Sequence, residues 1–387
     1  MKIFYITRTY AADLNSENCS GFRNYTVELL KKRYDVSVVT PDYTGKGIRN
    51  HGGIITIPYK VSRWDSYLER LGFYEDYLER WVKDAESYLL NVVKEDDVLI
   101  AVSGGEMGSI ILAAKLKMKC GCKMIINFHD PVSATTINGK VTYRFHVNRD
   151  RVLGKYLAHA DQIITCSKRY QEILEMKYKE IFPCIHNVYL GFRGKEEVIG
   201  RSGIHRPVRM VYAGTMSEIQ DAGRFINLFA QRDGLEIIFV GNCSQKIKEE
   251  AGKNKNVKMV PSMPHDDYID YIKSEADIGL VALKGDEFGA CVPSKIYELI
   301  NLEIPIFGIL PDGDAKEIIN SGYGFACTGN NINEANALLD RLLQPEEYEM
   351  VRNKMREDKA GWQMDKLFVE IYHMIDSLVG GGCCGSN

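Results

Sequence analysis

The chain has 387 residues, 45% of them hydrophobic and 26% charged, with a net charge of −3. This is the composition of a globular protein too long for one ordinary core, and two domains of about 190 residues are the natural division. The near balance of acids and bases excludes the basic face that nucleic acid requires, and no apolar run approaches the roughly 20 residues of a membrane span.

The first half alternates short apolar runs with helical stretches. Ile3–Thr7 reads as a strand that meets Arg8, not as a signal peptide with a cleavage site, so a cytoplasmic protein is expected. A helix over Asn24–Lys32 and strands at Val36–Thr40 and Ile54–Ile57 follow. Val98–Val102 is a strand ending in Ser103-Gly104-Gly105, and Met124–Phe128 and Gln162–Cys166 are two more. Such continuous, β-branched runs of four to six residues are those of parallel strands buried on both faces, and strand–helix alternation points to a doubly wound α/β sheet.

The segment Trp64–Val93 breaks the alternation. Its aromatic and leucine residues recur at spacings of three and four among charges, as in one or two amphipathic helices. Aromatic density and the partial repeat Tyr67-Leu68-Glu69-Arg70, Tyr77-Leu78-Glu79-Arg80 allow an interfacial helix, and with it a peripheral membrane contact at the inner face. Acids are as common as bases here, which favours a helix pair packed on the first domain.

The pattern restarts after a polar stretch from Arg193 to Pro207. Val208–Ala213 is a strand ending at Gly214-Thr215, followed by a helix over Asp221–Gln231. Strands are expected at Glu236–Val240, Val257–Val260, Ile278–Leu283 and Ile304–Ile309, with a helix over His265–Lys273. The expected domains are 1–198 and 199–361, with a C-terminal helix over about 362–379 able to pack back on the first and a flexible glycine-rich tail at 380–387. The ten cysteines include no Cys-x-x-Cys pair; Cys166, Cys184, Cys243, Cys291 and Cys327 sit in or beside apolar runs as small hydrophobes, and Cys383-Cys384 lie in the tail.

The most informative stretch is Cys291-Val292-Pro293-Ser294-Lys295-Ile296-Tyr297-Glu298. Pro293 fits at the edge of a helix, Ser294 is a natural N-cap, and Lys295 stands beside the free donors of that helix end, which suits an anion such as phosphate. Glu298 follows one turn later, with a carboxylate able to accept two hydroxyls of a ribose diol. Together they would hold a nucleoside diphosphate. The plainer alternative is a capped surface helix with solvated Lys and Glu.

These features, taken in order, resemble GT-B nucleotide-sugar glycosyltransferases, particularly the retaining family 4 enzymes that carry Pro-Ser-Lys before the Glu. The resemblance runs from Met1 to about Leu378. It rests on Ile3–Thr7 with Gly21-Phe22-Arg23-Asn24, His129-Asp130-Pro131, Ala160–Ser167, Ile185-His186-Asn187, Tyr212-Ala213-Gly214-Thr215, Ala276–Leu280 and Pro293–Glu298. It implies two Rossmann-like, doubly wound domains facing a cleft. A nucleotide-sugar donor would then lie on Gly214, Thr215, Pro293, Ser294, Lys295 and Glu298.

The same resemblance implies transfer of a hexose-type sugar to a glycan or lipid-linked acceptor, with retention, in surface polysaccharide or glycoconjugate synthesis. Lys295 would steady the leaving diphosphate and His129 would touch the donor sugar. A core histidine bonded to backbone is the alternative for His129, and a helix N-cap is the alternative for Asp130. Gly21, Arg23, Gly105 and Glu106 are acceptor-side candidates, against a tight turn at Gly105-Glu106 and a solvated Arg23. No cofactor is implied, and without Asp-x-Asp or a ligand-spaced His/Asp cluster the chemistry is expected to need no metal.

Two departures stand out. The family's Glu-x7-Glu pair would need an acid at position 290, which is Ala290, with Asp286 and Glu287 out of register. The basic residues that many relatives carry after the second glycine turn are absent from Met216–Asp221. A catalytically degenerate binding or scaffold protein and a nucleotide-sugar epimerase are therefore the competing readings. A nicotinamide oxidoreductase is disfavoured, because no Gly-x-Gly-x-x-Gly follows Ile3–Thr7.

Overall fold

A computed structural model describes residues 1–11, 21–45, 47–60, 62–132, 143–179, 184–197, 203–217 and 219–380. All of the expected tail but Gly380, and with it Cys383 and Cys384, lies outside them, as does most of the loop before Gly21. The chain's described residues divide into two compact units: those up to Leu190 and from Leu367 onward form the first, and those from Gly191 to Lys366 the second.

The first unit is built on eight strands: β1 (Ile3–Ile6), β2 (Val36–Asp42), β3 (Arg49–His51), β4 (Ile54–Pro58), β5 (Val98–Gly104), β6 (Lys123–Asp130), β7 (Gln162–Thr165) and β8 (Ile185–Asn187). They lie in the order β3-β4-β2-β1-β5-β6-β7-β8, all pairs parallel except β3 with β4. β1, β2 and β7 are buried along their whole length, as central parallel strands covered on both faces are, and they are mainly apolar for that reason. The short antiparallel β3 was not expected. It is polar and exposed, but Gly52 and Gly53 both take positive φ (59° and 78°), as a two-residue hairpin turn demands.

Helices α1 (Gly21–Lys31), α2 (Arg63–Arg70), α3 (Glu79–Leu89), α4 (Gly108–Cys120), α5 (Tyr143–Leu157) and α6 (Lys168–Lys177) complete this unit. The aromatic segment is thus two helices, and α3 packs on α4 and β4 through Trp81, Val82, Ala85 and Leu89, all buried. The final helix, Val369–Val379, belongs to this unit too. Its Tyr372 hydroxyl donates to the Leu29 carbonyl (2.6 Å), and Tyr34 donates to Asp376 (2.6 Å).

The second unit holds β9 (Val208–Ala213), β10 (Leu235–Val240), β11 (Val257–Val260), β12 (Ile278–Ala282), β13 (Ile306–Ile309) and β14 (Gly324–Cys327). All are parallel, in the order β11-β10-β9-β12-β13-β14. Renumbered from β9 this is 3-2-1-4-5-6, the dinucleotide-fold order whose direction reverses between the first and fourth strands. The helices used below are α7 (Arg224–Phe229), α8 (Gln245–Gly252), α9 (His265–Glu275) and α10 (Lys295–Asn301). Gly279 lets α10 lie close on β12: a Cβ there would meet Leu299 at 2.5 Å. No described helix is long and apolar enough to cross a membrane.

Candidate active site

In parallel sheets of this kind, ligands bind outside the carboxyl ends of the strands where the strand order reverses. In the second unit that point lies between β9 and β12, and β9 ends at Gly214. Gly214 takes φ +115°, and a Cβ on it would lie 2.5 Å from the Lys295 amine. The neighbouring turn after β10 is equally tight, since a Cβ on Gly241 would strike the Gly214 carbonyl at 2.6 Å. Two bare backbone turns therefore let Lys295 settle against the end of β9.

The Lys295 amine stands 5.3 Å from the centroid of the Tyr212 ring. No carboxylate of the described residues lies within ion-pair distance of it. Burial lowers its pKa, with Glu298 one turn away acting in the opposite direction. A half-buried cation without an anionic partner is costly unless a ligand supplies the charge. The Glu298 carboxylate accepts a hydrogen bond from the Tyr268 hydroxyl of α9 and has Arg193 at 4.0 Å. That contact orients Glu298 and leaves lone pairs for further donors.

Ser294 departs from its expected role. It occupies the cap position of α10 in helical conformation and makes no side-chain cap bond. A residue already helical cannot swing its hydroxyl back over the first-turn N–H groups, which normally takes extended backbone. Pro293 and Ser294 are half-buried beside Lys295, and Thr215 is exposed. Ala290 is buried, whereas Asp286 and Glu287 are exposed on a short 3-10 turn.

In the first unit the strand order reverses between β1 and β5. There Arg23, expected either on the acceptor side or in solvent, is only 5% exposed and donates to Glu106 at 3.2 Å. Glu106, 1% exposed, also pairs with Arg8 Nε at 3.2 Å and accepts the Gly104 N–H at 3.0 Å. Burial opposes the charge on Glu106, but Arg23 and Arg8 outweigh it and hold the carboxyl below its usual range. Glu106 is therefore closed off as the anchor of two guanidinium groups and is not a free contact for an acceptor. Gly105 makes a turn at φ +97°, with its carbonyl bonded by Arg149. Gly21 is the first residue of α1.

His129 and Asp130 are the last residues of β6, so Asp130 is no helix cap. Nor is His129 fastened through its far nitrogen: Nε2 is buried with no hydrogen-bond partner. Burial, helped by the Arg23 charge, pushes its pKa down to about 3, so its imidazole is neutral at ordinary pH.

The sequence reading missed Arg8, Tyr268 and Arg193. Arg8 had a signal, since it directly follows the first strand, where the topology puts ligands. It is half-exposed, with Nη1 donating to Tyr77 (3.3 Å). Among the described residues no three His, Cys, Asp or Glu side chains gather into a cluster able to hold a metal ion.

Residues 22–189 match the family model described as Glycosyltransferase Family 4. Over that stretch, somewhat under half of its length, the chain is similar to glycosyltransferases of family 4. Its fold is that of GT-B enzymes. A sucrose-phosphate synthase from Thermosynechococcus elongatus superposes with TM-score 0.75 at 14% identity, over 98% of this chain and 100% of that one. HepE from Anabaena, solved in complex with UDP and glucose, gives 0.67 at 13%, over 97% and 100%. An α,α-trehalose-phosphate synthase (UDP-forming) from Burkholderia vietnamiensis gives 0.70 at 10%, over 98% and 99%. No curated protein sequence matches.

Proposed function

We propose that this glycosyltransferase moves a hexose-type sugar from a nucleoside-diphosphate sugar to a glycan or lipid-linked acceptor. Retention at the anomeric carbon, independence of metal, a cytoplasmic setting and a place in surface polysaccharide or glycoconjugate synthesis belong to the same proposal. UDP is the nucleotide to try first, because the HepE complex and the UDP-forming synthase carry it in their descriptions.

The observation that carries the reading is the Lys295 amine, half-buried against Gly214 and without a carboxylate partner. Cleavage of an anomeric C–O bond leaves a diphosphate, and a fixed cation with backbone N–H groups of Gly214 and Thr215 stabilises that charge as it develops. Glu298, oriented by Tyr268, would accept the ribose hydroxyls. His129, neutral and with an unsatisfied Nε2, suits a hydrogen bond to the donor sugar and not proton donation. On the acceptor side, Arg8 is the cation with exposed surface.

Ala290 favours a second reading, a protein that binds the nucleotide without turning it over, since no carboxylate occupies that position. The discriminating experiment follows UDP release from UDP-glucose, UDP-galactose and their N-acetyl forms, with and without EDTA, in wild type and Lys295→Ala. Turnover insensitive to EDTA and reduced about 10²–10³-fold in the variant is expected. Nucleotide binding without turnover of any donor would favour the second reading, and turnover unaffected by Lys295→Ala would overturn the first.

A further inference from the structure

The face of α2 and the turn after it carries a chemistry that the donor site does not explain. Trp64, Tyr67, Leu71 and Phe73 are 69%, 51%, 49% and 75% exposed. Four large apolar side chains within ten residues form a patch, not the single scattered exposures normal on a surface. Trp64 and Tyr67 stack edge to face at 5.8 Å.

The charges around this patch are sorted by sign. Asp65 and Glu69, the acids of α2, are buried and paired, Asp65 with Arg80 (2.5 Å) and Glu69 with Arg149 (2.8 Å). Asp76 is buried near Arg149, and Glu75 is held by Lys155 (2.6 Å) and Tyr156. The charged residues left exposed between Lys60 and Leu78 are therefore Lys60, Arg63 and Arg70, all cations. No described carboxylate pairs with any of the three.

At about 100° per residue, Arg70, Arg63, Tyr67, Leu71 and Trp64 follow one another across roughly 120° of the helix surface. Asp65 and Glu69 lie on the opposite side. Between Lys60 and Leu78 the mix of acids and bases is thus divided by the fold, with acids inward and cations outward, whereas Lys83 and Asp84 of α3 are both exposed.

We infer that this face docks on an anionic lipid surface, with Trp64, Tyr67, Leu71 and Phe73 entering the headgroup region and Lys60, Arg63 and Arg70 facing lipid phosphates. Aromatic rings at headgroup depth and a rim of long cationic side chains are what such a surface selects, and each cation adds attraction that salt screens. With no described helix able to span a membrane, the contact is peripheral. It would bring the enzyme to a lipid-linked acceptor, but it does not rest on the donor-site reading, because it is measured without nucleotide.

The test is sedimentation of the full chain with vesicles of phosphatidylcholine alone, or of equal parts phosphatidylcholine and phosphatidylglycerol, at low and high salt. Trp64→Ala/Phe73→Ala and Arg63→Glu/Arg70→Glu double variants are run beside wild type, with melting temperature and gel filtration as controls. Binding to the mixed vesicles only, weakened by salt and reduced on the order of tenfold or more in either variant at unchanged melting temperature, is expected. Absence of wild-type binding, or equal binding by the variants, would overturn the inference. So would an oligomer that the Trp64→Ala/Phe73→Ala variant converts to monomer without vesicle binding, which would assign the patch to a second copy of the chain.

Discussion

The two switch points are furnished in opposite ways. In the first unit, Glu106 pairs with both Arg8 and Arg23, and the carboxylate and the Arg23 guanidinium are closed from solvent. In the second, Lys295 lies against a bare glycine turn with no anion to meet it. A satisfied cluster fixes the geometry of the strand ends around it, whereas an unsatisfied one reserves its charge for something that arrives. The same topology thus carries a closed ion-pair cluster in one unit and, on the proposed reading, an anion receptor in the other.

Removing the cluster's centre should have the largest effect. Glu106→Ala leaves the buried Arg23 uncompensated and is expected to cost about 3–5 kcal/mol of stability in urea unfolding. A loss below about 1 kcal/mol would show that the cluster is not holding the strand ends. Gly214→Ala probes the receptor: the new Cβ would displace the flexible end of Lys295, and φ +115° suits glycine. A stability cost of about 1–3 kcal/mol is expected, with nucleotide affinity lowered more than in any variant outside the second unit's switch point. Unchanged affinity in a folded variant would separate Lys295 from the ligand.

The histidine at the end of β6 gives a pH signature. Its folded pKa is about 3, while the unfolded value is about 6.5. Between those values the unfolded chain takes up a proton that the fold refuses, so stability falls as pH drops below about 6.5, by up to about 1.4 kcal/mol per pH unit from this group. In His129→Asn that contribution should vanish, which urea midpoints at pH 7, 6 and 5 would show. Parallel pH profiles for the two proteins would contradict a neutral, buried imidazole. The smallest effect is expected from Tyr268→Phe. Loss of the hydroxyl that orients Glu298 should raise KM for the donor about fivefold, matching roughly 1 kcal/mol for one hydrogen bond, with kcat little changed.

Much of the architecture was legible because parallel strands buried on both faces tend to be written as continuous apolar runs, as in Val98–Val102 and Ile278–Ala282. The strands missed as elements, β3, β8 and β14, are three or four residues long and polar or glycine-bearing, so length and pattern said little about them. Lys295 and Gly214 were legible as single residues, but their contact depends on β9 and α10 being brought together by the sheet. Arg149 meets Glu69 across 80 residues of sequence, and no local pattern announces such a pair. The inward turn of the α2 acids was hidden for the same reason, since composition counts charges without saying which face they occupy.

The most direct test is a thermal-shift titration of wild type and Lys295→Ala with UDP, with and without EDTA. A ligand bound only by the folded state raises the melting temperature as its concentration passes Kd. The account predicts a rise for wild type that EDTA does not change and that Lys295→Ala abolishes over the same concentrations. An equal rise in the variant, or none with UDP, GDP, ADP, CMP or dTDP in wild type, would contradict the assignment of Lys295 as the diphosphate's cation.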